Sequence, residues 1–277
     1  MKKFITALLL VSLFAGISSA EVTGTLAKSN TSEEKFVEEI GIKNNRPLKD
    51  SPMLAVLLAE GVKDPSRRFY DSLSMMLLAL GKGEIDSIGC PELIGEYILR
   101  HSQEHNLHGY MITRYPVNLA FGFLEENKEL CAKFSKVVED MGSEGKIGML
   151  ARDFITGPAA MSGNLPTVSF EEFDDAETLT AAITGDMPPI DYVGADGEPA
   201  GFNVAILAEI GRRLHVNIKP VVVDTASRAA ALKSGRADVV FWFQVFAGYD
   251  VQPDVPEGVI TSRPYYGWNK SVLIGKK

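Results

Sequence analysis

The residues with the plainest capacity for chemistry are three histidines, two cysteines and a few isolated acids. His101, His105 and His108 follow one another at spacings of four and three in RHSQEHNLHG. On a continuous helix that spacing turns three imidazoles to one face, a geometry that zinc accepts. The stretch reads instead as a frayed helix end running into solvent, and no metal is expected. Cys90 and Cys131 are too few for a disulfide framework; an oxidising compartment permits one bridge, but nothing in their spacing asks for it. Glu92 and Asp250 are acids that an acid–base mechanism would use, yet neither has an evident partner. The chain carries no Gly-x-Ser-x-Gly, Walker or Rossmann glycine pattern, and GKGEID lacks the context of a phosphate loop. Met75-Met76-Leu77-Leu78 reads as core, and no cofactor is expected.

The elements that must position such residues are marked by a repeat. ALGKGEIDSI (79–88) and ALKSGRADVV (231–240) share Ala-Leu-x-x-Gly-x-x-Asp-x-(Ile or Val). In each copy the Leu packs a last helical turn onto a sheet, the Gly leaves the helix in the left-handed region, and the Asp stands where the chain enters a strand. Around the first copy we expect strands at FVEEIGIK and Arg68–Tyr70, helices over Met53–Gly61 and Ser72–Leu80, and a short buried strand at IDSI. Asp71 or Ser72 would cap the second helix in front, with Gly81 and Gly83 closing it behind. Around the second copy the strand NIKPVVVD, a helix over Thr225–Lys233 and the strand ADVVFWF repeat that order. Between them, Tyr115–Phe123 reads as a strand, and Asn127–Ile155 as two helices broken at Gly142 and Gly145. Thr156–Thr167 is Gly- and Pro-bearing and uncharged, which is linker composition. The order is α/β, with helices on the faces of a parallel or mixed sheet.

The first twenty residues pair Lys2 and Lys3 with an apolar run from Phe4 to Ile17 and a Ser-Ser-Ala end, the pattern of a secretory signal peptide. Export as a soluble periplasmic protein is expected, since no later stretch has the apolar length of a spanning helix. Cleavage after Ala20 removes two lysines and no acid, taking the formal charge from −8 to −10. That balance speaks against nucleic acid or an anionic membrane as a partner.

The segment from Leu179 to Lys277 resembles the amino-acid-type extracytoplasmic solute-binding proteins (family 3) of ABC importers. The motifs that carry the likeness are the PP loop in TGDMPPIDYV, DGEPAGFNV leading into a helix, the LKSGRAD corner and SRPYYGWNKSVLI. The first half, FYDSLSMMLLALGKGEIDSI through GEYI and then YPVNLAFGFLEENKELCAKF onward, resembles the second lobe and return helices of that family, placed ahead of the first lobe. The resemblance therefore implies a two-lobed, type II periplasmic-binding-protein-like α/β fold, each lobe a mixed sheet flanked by helices, in circularly permuted order. It implies a signal peptide at 1–20, one ligand-binding lobe at 36–114, a hinge strand and return helices at 115–155, a linker at 156–172 and the other ligand-binding lobe at 173–277. A single covalent crossover near Arg114–Phe123 is expected, with VLIGKK and FVEEIGIK close in space.

Members of this family clamp an α-amino acid between a first-lobe Arg in a Thr-x-x-Arg segment and a second-lobe Asp. Here the chain reads VVFWFQVFAGYDVQPDVPEG after Asp238, with no Thr-x-x-Arg, and Pro91 stands at the place of the Asp. The resemblance then implies Trp242, Phe243 and Gln244 at the first-lobe strand end and Asn44, Asn45 and Arg46 at the second-lobe turn. Met187 stands where the family places an aromatic ring. Arg46 or Arg114 is a candidate for an anionic group, and Asp250, Cys90 and Glu92 are further candidates for ligand contact. The expected function is capture of a small polar solute, an amino acid or related compound, by a monomer that delivers it to the permease of an ABC importer. The alternatives are an enzyme on the same scaffold, similar to cyclohexadienyl dehydratases, and a ligand-sensing subunit for a membrane receptor.

Overall fold

Two long strands pair with each other at the centre of the main sheet and carry its other described strands on either side. The computed structural model describes residues 39–42, 66–70, 72–85, 87–102, 106–224, 227–246, 252 and 254–276. The expected leader at 1–20, the expected helix at 53–61, and Asn44, Asn45, Arg46, Asp71, Asp86, His105, Thr225 and Asp250 lie outside the described residues. The long strands are β4 (Leu107–Leu124) and β12 (Tyr266–Lys276), paired antiparallel from Tyr266↔Leu119 to Lys276↔Leu107.

At one end, β12 pairs antiparallel with β3 (Ser87–Pro91), which is followed by β1 (Glu39–Ile42) and β2 (Ser66–Phe69) in parallel. At the other, β4 pairs antiparallel with β10 (Val239–Phe246), followed in parallel by β5 (Thr178–Ile183) and β9 (Asn217–Val222). The order is β2-β1-β3-β12-β4-β10-β5-β9, with β11 (Val259–Thr261) also on β4. The fold is mixed α/β: parallel strands joined by helical crossovers at each end, and antiparallel strands between. A second small sheet joins β6 (Asp186–Met187), β7 (Asp191–Val193) and β8 (Pro199–Ala200). The outermost strand β9 carries Lys219 and Pro220, residues suited to an unpaired edge.

The repeated corner is built as its residues dictate. Helix α1 (Leu73–Lys82) starts at Ser72, whose Oγ accepts from the Met75 amide, and ends at Gly83 with φ +73°, whose amide donates to Ala79 and Leu80. Helix α7 (Arg228–Lys233) ends through Gly235 with φ +68°, whose amide donates to Leu232. Ala79, Leu80 and Ile88 are buried, as are Ala231, Leu232 and Val240. In the second copy Asp238 clamps the neighbouring strand, its amide donating to the Thr180 carbonyl and its carboxylate accepting from the Thr180 amide at 2.7 Å.

Helix α2 (Glu92–His101) follows β3 without a loop. Helix α3 (Lys128–Ser143) runs through Gly142, and the break falls at Gly145, φ +74°, before α4 (Lys146–Ala151). A π-helical turn (Arg152–Thr156) and α5 (Pro158–Ser162) follow, so part of the expected linker is helical. From there to β5 the chain has no helix or strand; it is tied down where Phe173 and the Asn217 side chain exchange two hydrogen bonds. Phe134 of α3 meets Phe121 and Phe123 of β4 edge-on, and α6 (Phe202–Leu214) buries Phe202, Val204, Ile206, Leu207 and Ile210.

Two expectations about connectivity are corrected or refined. β12 accompanies β4 along both ends of the sheet, so two strands, not one, pass between them. Ser271–Gly275 of β12 and Ile40–Gly41 of β1 lie on opposite sides of β3, about 10 Å apart at ordinary strand spacing.

Candidate functional site

The two ends of the sheet meet across the loop that leaves β5. That loop is held from within. Asp191, fully buried, accepts from the Gly185 amide at 3.0 Å and from the Thr184 hydroxyl. The Ile190 amide donates to Met187, and α6 begins by donating the Phe202 and Asn203 amides to Pro189 and Ile190. Only glycine permits that start. Gly201 has φ +111°, and a Cβ there would stand 2.5 Å from the Ile190 carbonyl oxygen. Below, the Tyr265 hydroxyl lies 2.7 Å from the Phe241 carbonyl and 3.0 Å from Asn203 Oδ1. Burial first, and the nearby Asp191 charge second, push that phenol well above its ordinary range.

Asp186, carried by this loop, reaches the other end of the molecule: its Oδ2 accepts from the Leu73 amide, the first of α1, at 2.7 Å. Further along the same side, Tyr97 of α2 is close enough to Tyr192 of β7 to add to the upward shift that burial gives the Tyr192 phenol. His101 Nε2 is 3.1 Å from the Ala160 carbonyl. Near the long strands, Glu92 in the first turn of α2 pairs with Lys270 of β12 at 3.3 Å, and its charge adds to the burial that raises the Tyr266 phenol.

At the β10 end the chemistry is concentrated in Arg228. Its guanidinium donates to the Trp242 carbonyl and to Asp254 at 3.2 Å, and it lies 4.8 Å from the Trp242 ring centre and 4.7 Å from that of Phe243. Asp254 also accepts from the Gln244 amide at 2.7 Å. Arg228 and Asp254 are both buried, so each charge needs the other. The shift of register between Val240 and Phe243 coincides with this cluster.

The residues singled out from sequence fall into separate places. Trp242, Phe243 and Gln244 gather around Arg228 and Asp254. Phe243 is a core side chain, 2% exposed, over Gly122. Trp242 packs in the main core, and its indole N–H has no hydrogen-bond partner among the described residues. Met187 is buried in that same core. Cys90 is packed against Val272 beneath α2, and burial pushes its thiol up to about 12, which suits a core group rather than a nucleophile. Cys90 and Cys131 are both free and buried, so the permitted bridge is not formed. Arg114 lies in β4, with its side chain outside the description. His101 ends α2 while His108 lies in β4, so these two do not share a helix face. Among the described residues no group of three or more His, Cys, Asp or Glu is placed to hold a metal.

Arg228, Asp254 and Asp186 were not found from sequence. A signal existed for the first: an arginine in the opening turn of a helix faces the positive end of the helix dipole and calls for a buried acid nearby. Asp186 had a weaker one, as a lone charge between a buried strand and Pro188-Pro189.

Residues 179–277 match the family described as bacterial extracellular solute-binding proteins, family 3. No match was found among curated proteins. Among solved structures the chain is similar to the ligand-binding component of an ABC-type import system from Staphylococcus aureus with zinc bound, at 13% identity and TM-score 0.44, covering 86% of this chain and 65% of that one. It is similar also to the periplasmic aliphatic sulphonate binding protein SsuA from Escherichia coli, at 13% identity and TM-score 0.38, covering 86% and 61%. A third is CbnR, a LysR family transcriptional regulator, at 10% identity and TM-score 0.43, covering 89% and 66%. In each case the chain spans less than two thirds of the other's length.

Proposed function

We propose that the protein captures a small polar solute between the two ends of its sheet and hands it, unchanged, to the permease of an ABC importer. The observation that carries this reading is the family match over residues 179–277, which takes in the loop with Asp186 and Met187, the corner at 231–240 and both β10 and β12. On this reading β5, α6, β9, α7 and β10 form one lobe, β1, β2, α1, β3 and α2 the other, and α3–α5 return to the first, in permuted order. The protein acts in the periplasm, as a monomer, without catalysis. Its solute is not held by the usual pair of charges for an α-amino acid: no Thr-x-x-Arg follows Asp238, Pro91 replaces the acid, and Arg228, which stands ahead of that strand, is already paired with Asp254. Hydrogen bonding and ring faces then take a larger share of recognition.

Native mass spectrometry of the mature chain, purified without unfolding, tests this. The expected spectrum contains a one-to-one adduct of a small molecule that leaves on unfolding and is recovered chemically intact. Recovery of a chemically altered product would replace capture by catalysis.

A further inference from the structure

The contact between Asp186 and α1 joins residues 113 positions apart in the chain and belongs to opposite ends of the sheet. Its chemistry is directional. An α-helix leaves its first amides without partners inside the helix, and its N-terminus carries partial positive charge. Ser72 serves the Met75 amide, while the Leu73 amide is served by a carboxylate from across the molecule. A charge-assisted bond of this kind is stronger than one between neutral groups.

The two supports of the contact are stiff. On one side Asp191 fixes the turn at Thr184–Gly185, and Gly201 seats α6 directly against Pro189 and Ile190. On the other, α1 buries Leu73, Met76, Ala79 and Leu80 against its own end of the sheet and is closed by Gly83. Movement of one end relative to the other therefore has to break the bond between Asp186 and Leu73 rather than bend the elements that bear it.

We infer that Asp186 is a latch: it supplies an internal anion to α1 and holds the two ends of the sheet together when no solute is present. This rests on the reading of those ends as lobes that open and close. It implies that the resting protein is largely closed and that a solute enters by displacing the Asp186 carboxylate from the helix.

The test uses the mature chain without any solute, so a failure to find a solute leaves it intact. Spin labels on Ser74→Cys and Lys219→Cys, both exposed positions, report the distance between the ends, because the native cysteines are buried. The wild-type background should give one short, narrow distance distribution. D186A should give a longer and broader one, with exchange of the Leu73 amide faster by about tenfold, in line with the loss of a charged cap. D186N, which keeps the shape and loses the charge, should fall between. Circular dichroism checks that both variants are folded, and D186N carries the test if D186A is not. Faster exchange at Leu73 with an unchanged distance would reduce Asp186 to a local cap and overturn the latch. A wild-type distribution as broad as that of D186A would overturn it too.

Discussion

The two copies of the helix-to-strand corner are alike up to their strands and diverge beyond them. At the first, β3 lasts five residues and turns at Pro91 straight into α2, which is packed so closely that a Cβ on Gly95 would lie 1.8 Å from Val272 Cγ1. At the second, β10 runs for eight residues, shifts register, and closes around a buried ion pair. The corner is a structural device that either end uses to set a strand against a helix. The residues after it decide whether that end is tightened by apolar contact or by charge.

This contrast predicts different ways of breaking each end. The largest effect is expected from R228M, which takes the guanidinium away from the buried Asp254 carboxylate and should cost about 3–5 kcal/mol in urea unfolding. R228M combined with D254N should recover much of that loss. A fully additive double variant would show that the pair is not the source of the cost. At the opposite end G95A should cost about 1–3 kcal/mol through overpacking, and V272A should relieve it when combined. A smaller and equal effect is expected from G83A and G235A. Both residues have positive φ and open space around them, so each should cost about 1 kcal/mol from backbone strain alone. Unequal costs would mean that the two corners are not equivalent.

The smallest effect concerns acid. Burial works against the charge of Glu209, but hydrogen bonds from Arg212 and Arg213 and the charge of Lys146 outweigh it and bring the carboxyl to about 2. A depressed carboxylate contributes stability above its unfolded value and loses it as pH falls. That loss should run from about 4.5 down to about 2. E209Q should flatten this acid limb and cost less than about 1 kcal/mol at neutral pH, given screening by solvent. An acid limb as steep as that of the unsubstituted protein would place the sensitivity elsewhere.

The corners were legible in the sequence because caps and left-handed glycines act within a few residues. Ser72, Gly83, Gly235 and the buried Leu80 and Leu232 stand where the pattern put them. The α/β order was legible for the same reason, since strand and helix periods are local. The pairing of β12 with β4 along both ends was not, because SRPYYGWNKSVLIG carries no local mark of its partner strand. Asp186 and Leu73 meet only after the chain has folded, and Asp254 lies 26 residues from Arg228 with no spacing rule to join them. Trp242, Phe243 and Gln244 lie together on β10, but the arginine packed against them comes from helix α7, which no pattern within that strand could indicate.

The central claim is that the space between the two ends takes a solute. A thermal-shift screen after ligand has been stripped tests it most directly, with amino acids, small dicarboxylates, polyamines and short peptides as probes. A solute at a hundred times its dissociation constant adds about 2.7 kcal/mol to the folded state, which for a chain of this size raises the midpoint by roughly 5–10 °C. The account predicts such a rise for one chemical class, without turnover of the compound. No rise with any member of the panel would contradict it.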